Sequence, residues 1–157
     1  DFFGLSEQVY SYFFAANAAL SLIGPMIYVK FFTRTNKRKF ANVCFIGYVL
    51  CGVLLLLLGD KTPLLFWLGF APFSLLGTIS RPFSTNILLE QQSGDTGSAS
   101  SLINGVSTIL GSVGMMTASM WSDTIFGMGI TIFLSGAVSV VGWALLMRSK
   151  VPCHGVK

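Results

Sequence analysis

The sequence predicts an all-α, polytopic membrane protein, and three observations carry that prediction. Five apolar stretches, at about 9–29, 43–58, 64–80, 98–120 and 125–147, make up 100 of the 157 residues. Charged residues make up only 10% of the chain, against about 25% in ordinary soluble domains, too few to cover a water-soluble surface. The cations also alternate along the chain, gathering after the first, third and fifth stretches. A soluble bundle is excluded because the stretches offer water no polar face. A transmembrane barrel requires alternation, and the unbroken apolar run 53–58 has none. In lipid such a run must satisfy its own backbone hydrogen bonds, which a helix does.

Roughly 20 helical residues, at about 1.5 Å each, cross a hydrocarbon core of about 30 Å. The first, fourth and fifth stretches meet that length, and the second and third are expected to extend into their flanks. Ser6 is placed to cap a first helix starting near Glu7, because its hydroxyl can accept from the exposed N–H groups of a first turn. That helix ends in the basic connector holding Lys30, Arg34, Lys37, Arg38 and Lys39. Gly59-Asp60-Lys61-Thr62-Pro63 forms a tight turn, with Thr62 as cap and Pro63 at the first helical position. So short a turn makes the second and third helices antiparallel neighbours. The third helix carries Pro72, meets Arg81-Pro82, and continues, kinked, toward Leu89 before the polar stretch 90–96. Trp121-Ser122-Asp123-Thr124 makes the last turn, with Trp121 suited to the headgroup region.

The positive-inside rule sets direction. Lys30, Arg34, Lys37, Arg38, Lys39, Arg81, Arg148, Lys150 and Lys157 share one side, whereas Lys61 alone of the cations lies on the other. This places Asp1 outside and Lys157 in the cytoplasm of a cell whose inner (plasma) membrane holds the chain as a multi-pass protein. The net charge of +4 therefore reports topology rather than nucleic-acid binding. An odd number of spans puts the termini on opposite sides, and with Asp rather than Met at position 1 the expectation is a piece of a larger protein. The basic connector is a topology determinant first, with attraction to anionic lipid and clamping of neighbouring helix ends as further readings.

No enzyme chemistry is indicated. The chain has one His, no Walker loop and no Ser/His/Asp set, and no cofactor is expected. Cys44 and Cys51 fall in the second span, and Cys153-His154 is an isolated pair without further metal ligands. No charged residue lies in the middle of a stretch as bounded above, so no proton relay is evident. Asn17 and Asn104 are the notable midspan polar residues. Each either makes a structural interhelical hydrogen bond, the favoured reading, or lines a substrate cavity. Met115 and its neighbours Met116 and Met120 could offer an adaptable apolar surface to substrates, although plain packing or lipid contact is the favoured account. In the fourth stretch Ser101, Gly105, Ser107, Gly111, Gly114 and Ala118 form a small-residue stripe, expected to let helix backbones approach closely.

Gly94-Asp95-Thr96-Gly97-Ser98-Ala99-Ser100-Ser101-Leu102 resembles the segment leading into the eleventh helix of major facilitator superfamily drug/proton antiporters, most closely the Bcr/CflA multidrug efflux group. Phe3-Gly4-Leu5-Ser6, followed by Tyr12-Phe13-Phe14-Ala15-Ala16-Asn17-Ala18, resembles that group's approach to helix eight. The two matches are correctly spaced, so the resemblance covers essentially the whole chain, with Gly97, Ser98, Ala99 and Ser100 as its core. It implies helices eight to twelve of a twelve-helix transporter that binds small hydrophobic or cationic drugs between two halves and exports them in exchange for protons. The missing amino-terminal half and its proton-coupling acids would then be partners, together with the bilayer. The family's charged loop pattern is only echoed after the first span, where Gly24 matches but Tyr28 takes the acid's place. Transport of another solute (a sugar, amino acid or metabolite) and a self-contained five-span assembly or sensor subunit are the rival readings. The antiporter reading expects roughly 200 to 250 further residues upstream, at about 30 to 35 per span and loop.

Overall fold

The computed structural model describes residues 4, 6–91, 94–149, 153 and 156. Asp1, Phe3, Leu5, Lys150, His154 and Lys157 lie outside the described residues. Five helices account for nearly everything else: α1 (Glu7–Ile27), α2 (Lys37–Leu58), α3 (Pro63–Glu90), α4 (Thr96–Ser119) and α5 (Thr124–Arg148). No strand occurs among the described residues, and all five helices are long and apolar enough to cross a membrane. Large apolar side chains such as Leu22, Leu57, Ile109 and Val138 are exposed along their flanks, as expected where lipid rather than water is the surrounding solvent.

Local chemistry starts each helix. The Val9 N–H donates to Ser6 Oγ at 3.4 Å, and the Leu65 N–H to Thr62 Oγ1 at 3.2 Å, so both expected caps form. Asn36 caps α2 by accepting from the N–H groups of Arg38 and Lys39, and Asp123 caps α5 by accepting from those of Ile125 and Phe126. Each cap satisfies N–H groups that have no partner within their helix. Near the end of α1, Pro25 lacks an N–H, and the chain widens into a π-helical turn (Tyr28–Phe32) before the basic connector. The second and third helices extend into their flanks, α2 back to Lys37 and α3 on to Glu90.

α3 continues past Arg81-Pro82 to Glu90, in line with the expected run toward Leu89. Arg81, which the apolar stretch alone places after the third span, therefore lies inside a helix of 28 residues, nine positions before its end. Pro82 removes only one backbone hydrogen bond. Beyond it Phe83 and Ile87 pack on a cluster formed by Tyr28, Phe40, Ala41, Cys44 and Ile79. The rings of Phe40 and Phe83 stand 4.7 Å apart, and Phe32 lies 5.1 Å from Phe40. Aromatic pairs of this kind contribute about 0.5–1.5 kcal/mol each beyond burial, and the first of them holds α3 against α2 immediately after the proline.

α2 and α5 pack most extensively, α3 lies on the other side of α2, and α1 lies on α3. α4 rests on α5 and only lightly on α3. The close backbone approach expected of the small-residue stripe in α4 is made at its end but not along its middle. The Ala118 carbonyl oxygen would stand 2.4 Å from a Cβ added at Gly127 of α5, whereas Cβ atoms added at Gly105, Gly111 or Gly114 would meet nothing within 4 Å. Close approach also occurs between α2 and α5. A Cβ at Gly52 would stand 2.6 Å from the Phe133 backbone nitrogen, and one at Gly136 would stand 2.9 Å from that of Val49. Backbone atoms cannot swing aside as side chains do, so Gly52→Ala must spread the two helices. Overpacking of this kind costs about 1–3 kcal/mol. Gly142, also on α5, has open space around it. Thermal unfolding of the purified protein in detergent should show a lowered midpoint for Gly52→Ala and an unchanged one for Gly142→Ala.

Candidate functional site

One polar cleft stands out in an otherwise apolar bundle, at the seam where α3 and α4 barely touch. It holds about 470 Å³, within the range of roughly 300–1,000 Å³ typical of small-molecule sites. α3 supplies Ser74, Thr78, Arg81 and Thr85, at offsets of four, three and four residues, and these therefore share one helix face. Ser80 and Ser84 flank that face, and Asn104 and Ser107 complete the wall from α4. Arg81 is about 13 Å along the axis from Glu90, and Asn104 about 12 Å from the start of α4, so the two sit at similar depth.

Several of these polar groups are already engaged. Thr78 Oγ1 donates to the Leu75 carbonyl at 2.9 Å, Ser107 Oγ to the Ile103 carbonyl at 2.7 Å, and Ser80 Oγ pairs with the Tyr48 hydroxyl at 2.6 Å. Ser74 Oγ lies 3.4 Å from Ser21 Oγ, which ties the cleft to α1. The side chains of Arg81, Ser84, Thr85 and Asn104 make no hydrogen bond to another described residue. Their capacity converges on the cleft, and its lining contains no acidic side chain. An arginine at that depth is expensive in lipid; beside hydroxyls and an amide it can be solvated or can hold an acceptor-rich ligand.

The candidate residues named from sequence separate here. Asn104 lines the cleft. Asn17 does not: it is half-buried in α1, one turn before Ser21, and its Oδ1 is buried without a partner, as is Nε1 of Trp67 in α3. The interhelical hydrogen bond expected of Asn17 is thus not formed. Met115 is 77% exposed and does not line the polar cleft. Arg81, Ser84 and Thr85 escape a reading that ends the third span at 80. The 4-3-4 spacing of Ser74, Thr78, Arg81 and Thr85 would have revealed them.

The basic connector splits in the same way. Lys37, at the start of α2, donates to both oxygens of Glu90 at the end of α3, at 2.7 and 2.5 Å. Each charge stands at the like-signed terminus of its own helix, and the pair offsets both while joining the two helix ends. Lys30 lies 5.4 Å over the Phe31 ring. The side chains of Arg34, Arg38 and Lys39 take part in no hydrogen bond or ion pair among the described residues. No group of three or more metal-ligating side chains occurs among the described residues.

The Gly97-Ser98-Ala99-Ser100 element has a definite structural role. Asp95 caps α4, accepting from the Gly97 N–H at 2.9 Å and from the Ser98 hydroxyl at 2.5 Å. No protein-family model matches the chain, and neither a curated protein nor a solved structure does.

The Ser98 hydroxyl and the backbone N–H groups of Gly97 and Ser98 hold the Asp95 carboxyl below its ordinary pKa. A carboxylate lowered in the folded state stabilises the fold above its unfolded value, and that contribution is lost as pH falls through the folded value. Hydrogen exchange should therefore show reduced protection at Gly97, Ser98 and Ala99 in Asp95→Ala, and in the wild type at acid pH. Asp95→Asn, which keeps an accepting oxygen but has no charge to lose, should show protection that does not change as the pH falls.

Proposed function

We propose that this membrane protein takes part in solute transport, as the carboxy-terminal helices of a major facilitator-type transporter that exports small organic compounds in exchange for protons. The observation that carries the reading is the polar cleft between α3 and α4, lined by Arg81 and Asn104 at matching depth along otherwise apolar helices. A structural assembly subunit has no use for an unpaired arginine there, whereas a transporter binds its solute near the middle of the membrane. The resemblance to Bcr/CflA antiporters supplies the family and the proton coupling. On that reading the coupling carboxylate belongs to the other half of the transporter, because the acids within these helices, Glu7 and Glu90, stand at helix ends.

The charge of the cleft favours one second reading. A drug cation gains nothing from a site whose charged group is a guanidinium. A carboxylate, phosphate or polyhydroxyl solute can accept from Arg81, Ser84, Thr85 and Asn104 together. Transport of an acidic or zwitterionic metabolite, or efflux of amphiphiles with such a group, therefore suits this wall better than export of simple cations.

Uptake and accumulation assays with the full-length protein, across cationic dyes, neutral antibiotics and organic acids, decide between these. Export of at least one class is expected, and unchanged accumulation across all of them would contradict transport. Loss of a charge-assisted hydrogen bond costs about 1.5–3 kcal/mol, so Arg81→Gln should raise KM by about tenfold or more, with Arg81→Lys intermediate. Undiminished transport by Arg81→Gln would remove the cleft from the pathway.

A further inference from the structure

A second groove shares no residue with the polar cleft. It runs between α2 and α5, holds about 270 Å³, and opens at the end of the bundle where α2 begins and α5 finishes. Its composition changes along its length. At the mouth stand Arg38, in the first turn of α2, and Arg148, the last residue of α5. Deeper, the walls are Phe45 and Ile46 on one side and Val140 and Trp143 on the other. Trp143 is held in place, with Nε1 donating to Asn42 Oδ1 at 2.9 Å and its ring 5.7 Å from that of Phe45.

Neither arginine has a charge partner among the described residues, and the nearby carboxylate of Glu90 is already paired with Lys37. Two unpaired guanidiniums therefore flank the mouth of an apolar slot aligned with the membrane-crossing direction. From Arg38 to Ile46 the slot runs about 12 Å along the helix. That length suits part of an acyl chain below a headgroup.

We infer that the α2–α5 groove is a binding site for an anionic phospholipid, its phosphate held between Arg38 and Arg148 and one acyl chain lying against Phe45, Ile46, Val140 and Trp143. Basic pockets between membrane helices bind acidic headgroups in this manner, and arginine matches phosphate geometry with paired N–H donors. Free phosphate shares the headgroup chemistry but would leave the apolar slot unfilled. The inference does not depend on what the polar cleft transports, because any multi-pass protein with this groove would present it to lipid.

Native mass spectrometry of the delipidated full-length protein tests the site. The probes are phosphatidylglycerol and phosphatidylcholine with the same acyl chains, each with and without excess inorganic phosphate. Phosphatidylglycerol should be retained in preference to phosphatidylcholine and should resist displacement by phosphate. A basic residue at a membrane surface contributes about fivefold to anionic-lipid affinity, so Arg38→Gln and Arg148→Gln should each lower retention by about that factor. Lys39→Gln, beside the groove but not lining it, should change nothing. Ala144→Phe keeps both arginines and fills the slot, and should also lose the lipid. Equal retention of the two lipids, displacement by inorganic phosphate, wild-type retention in both arginine variants or in Ala144→Phe, or an equal loss in Lys39→Gln would overturn the assignment.

Discussion

The rest of the structure hangs on the contact between α2 and α5. Inside a bilayer two apolar helices gain little from the hydrophobic effect, since lipid is as apolar as leucine. They associate by dispersion, which falls off steeply with separation. Gly52 and Gly136 bring the two backbones near enough for that attraction to accumulate. With this pair fixed, α3 packs against the remaining side of α2, and α1 reaches the bundle through α3. At that second junction Gly24 faces Thr78 with no room for a further atom.

The same arrangement leaves α4 at the margin, and the polar cleft follows from it. α3 is held by α2 through the aromatic cluster around Phe40 and Phe83, and by Lys37 through Glu90. α4 is held by α5, with its first turn set by Asp95. The two helices are therefore positioned by different partners and meet only lightly. The seam between them gathers hydroxyls, an amide and a guanidinium side by side. A hydrogen-bonding cavity inside a membrane protein needs such a place, and α4 has none of its residues buried that would close it.

Much of this was legible in the sequence, for physical reasons that differ from residue to residue. The spans follow from apolar length, and the caps at Ser6 and Thr62-Pro63 follow from chemistry confined to a few neighbouring residues. Arg81 was harder. The apolar stretch ends at Ser80, and what holds the chain beyond Pro82 against its neighbours, the packing of Phe83 on Phe40, joins residues far apart in the chain. The small residues of α4 and the glycines of α2 and α5 look alike in sequence. Only packing distinguishes Gly52, pressed on the Phe133 backbone, from Gly111 with nothing beside it. Asn104 and Asn17 were indistinguishable as midspan amides, and the fold sends one to the cleft and the other to the α1 side of the bundle. The Gly97-Ser98-Ala99-Ser100 element stood out in the sequence for its likeness to a family motif, and in the structure it is the first turn of α4, capped by Asp95.

Whether the α3–α4 seam is a watery pathway within the membrane is most directly measured by thiol accessibility. Single cysteines at Ser74, Thr78 and Thr85, and at the exposed apolar positions Val113 and Val138, would be placed in the full-length protein freed of its native cysteines. Each would then be exposed in membranes to a small, charged thiol reagent. A solvated cleft requires rapid labelling at 74, 78 and 85 and protection at 113 and 138, where the side chains meet lipid. Protection at all three cleft positions, or labelling as fast at Val113 and Val138, would contradict it.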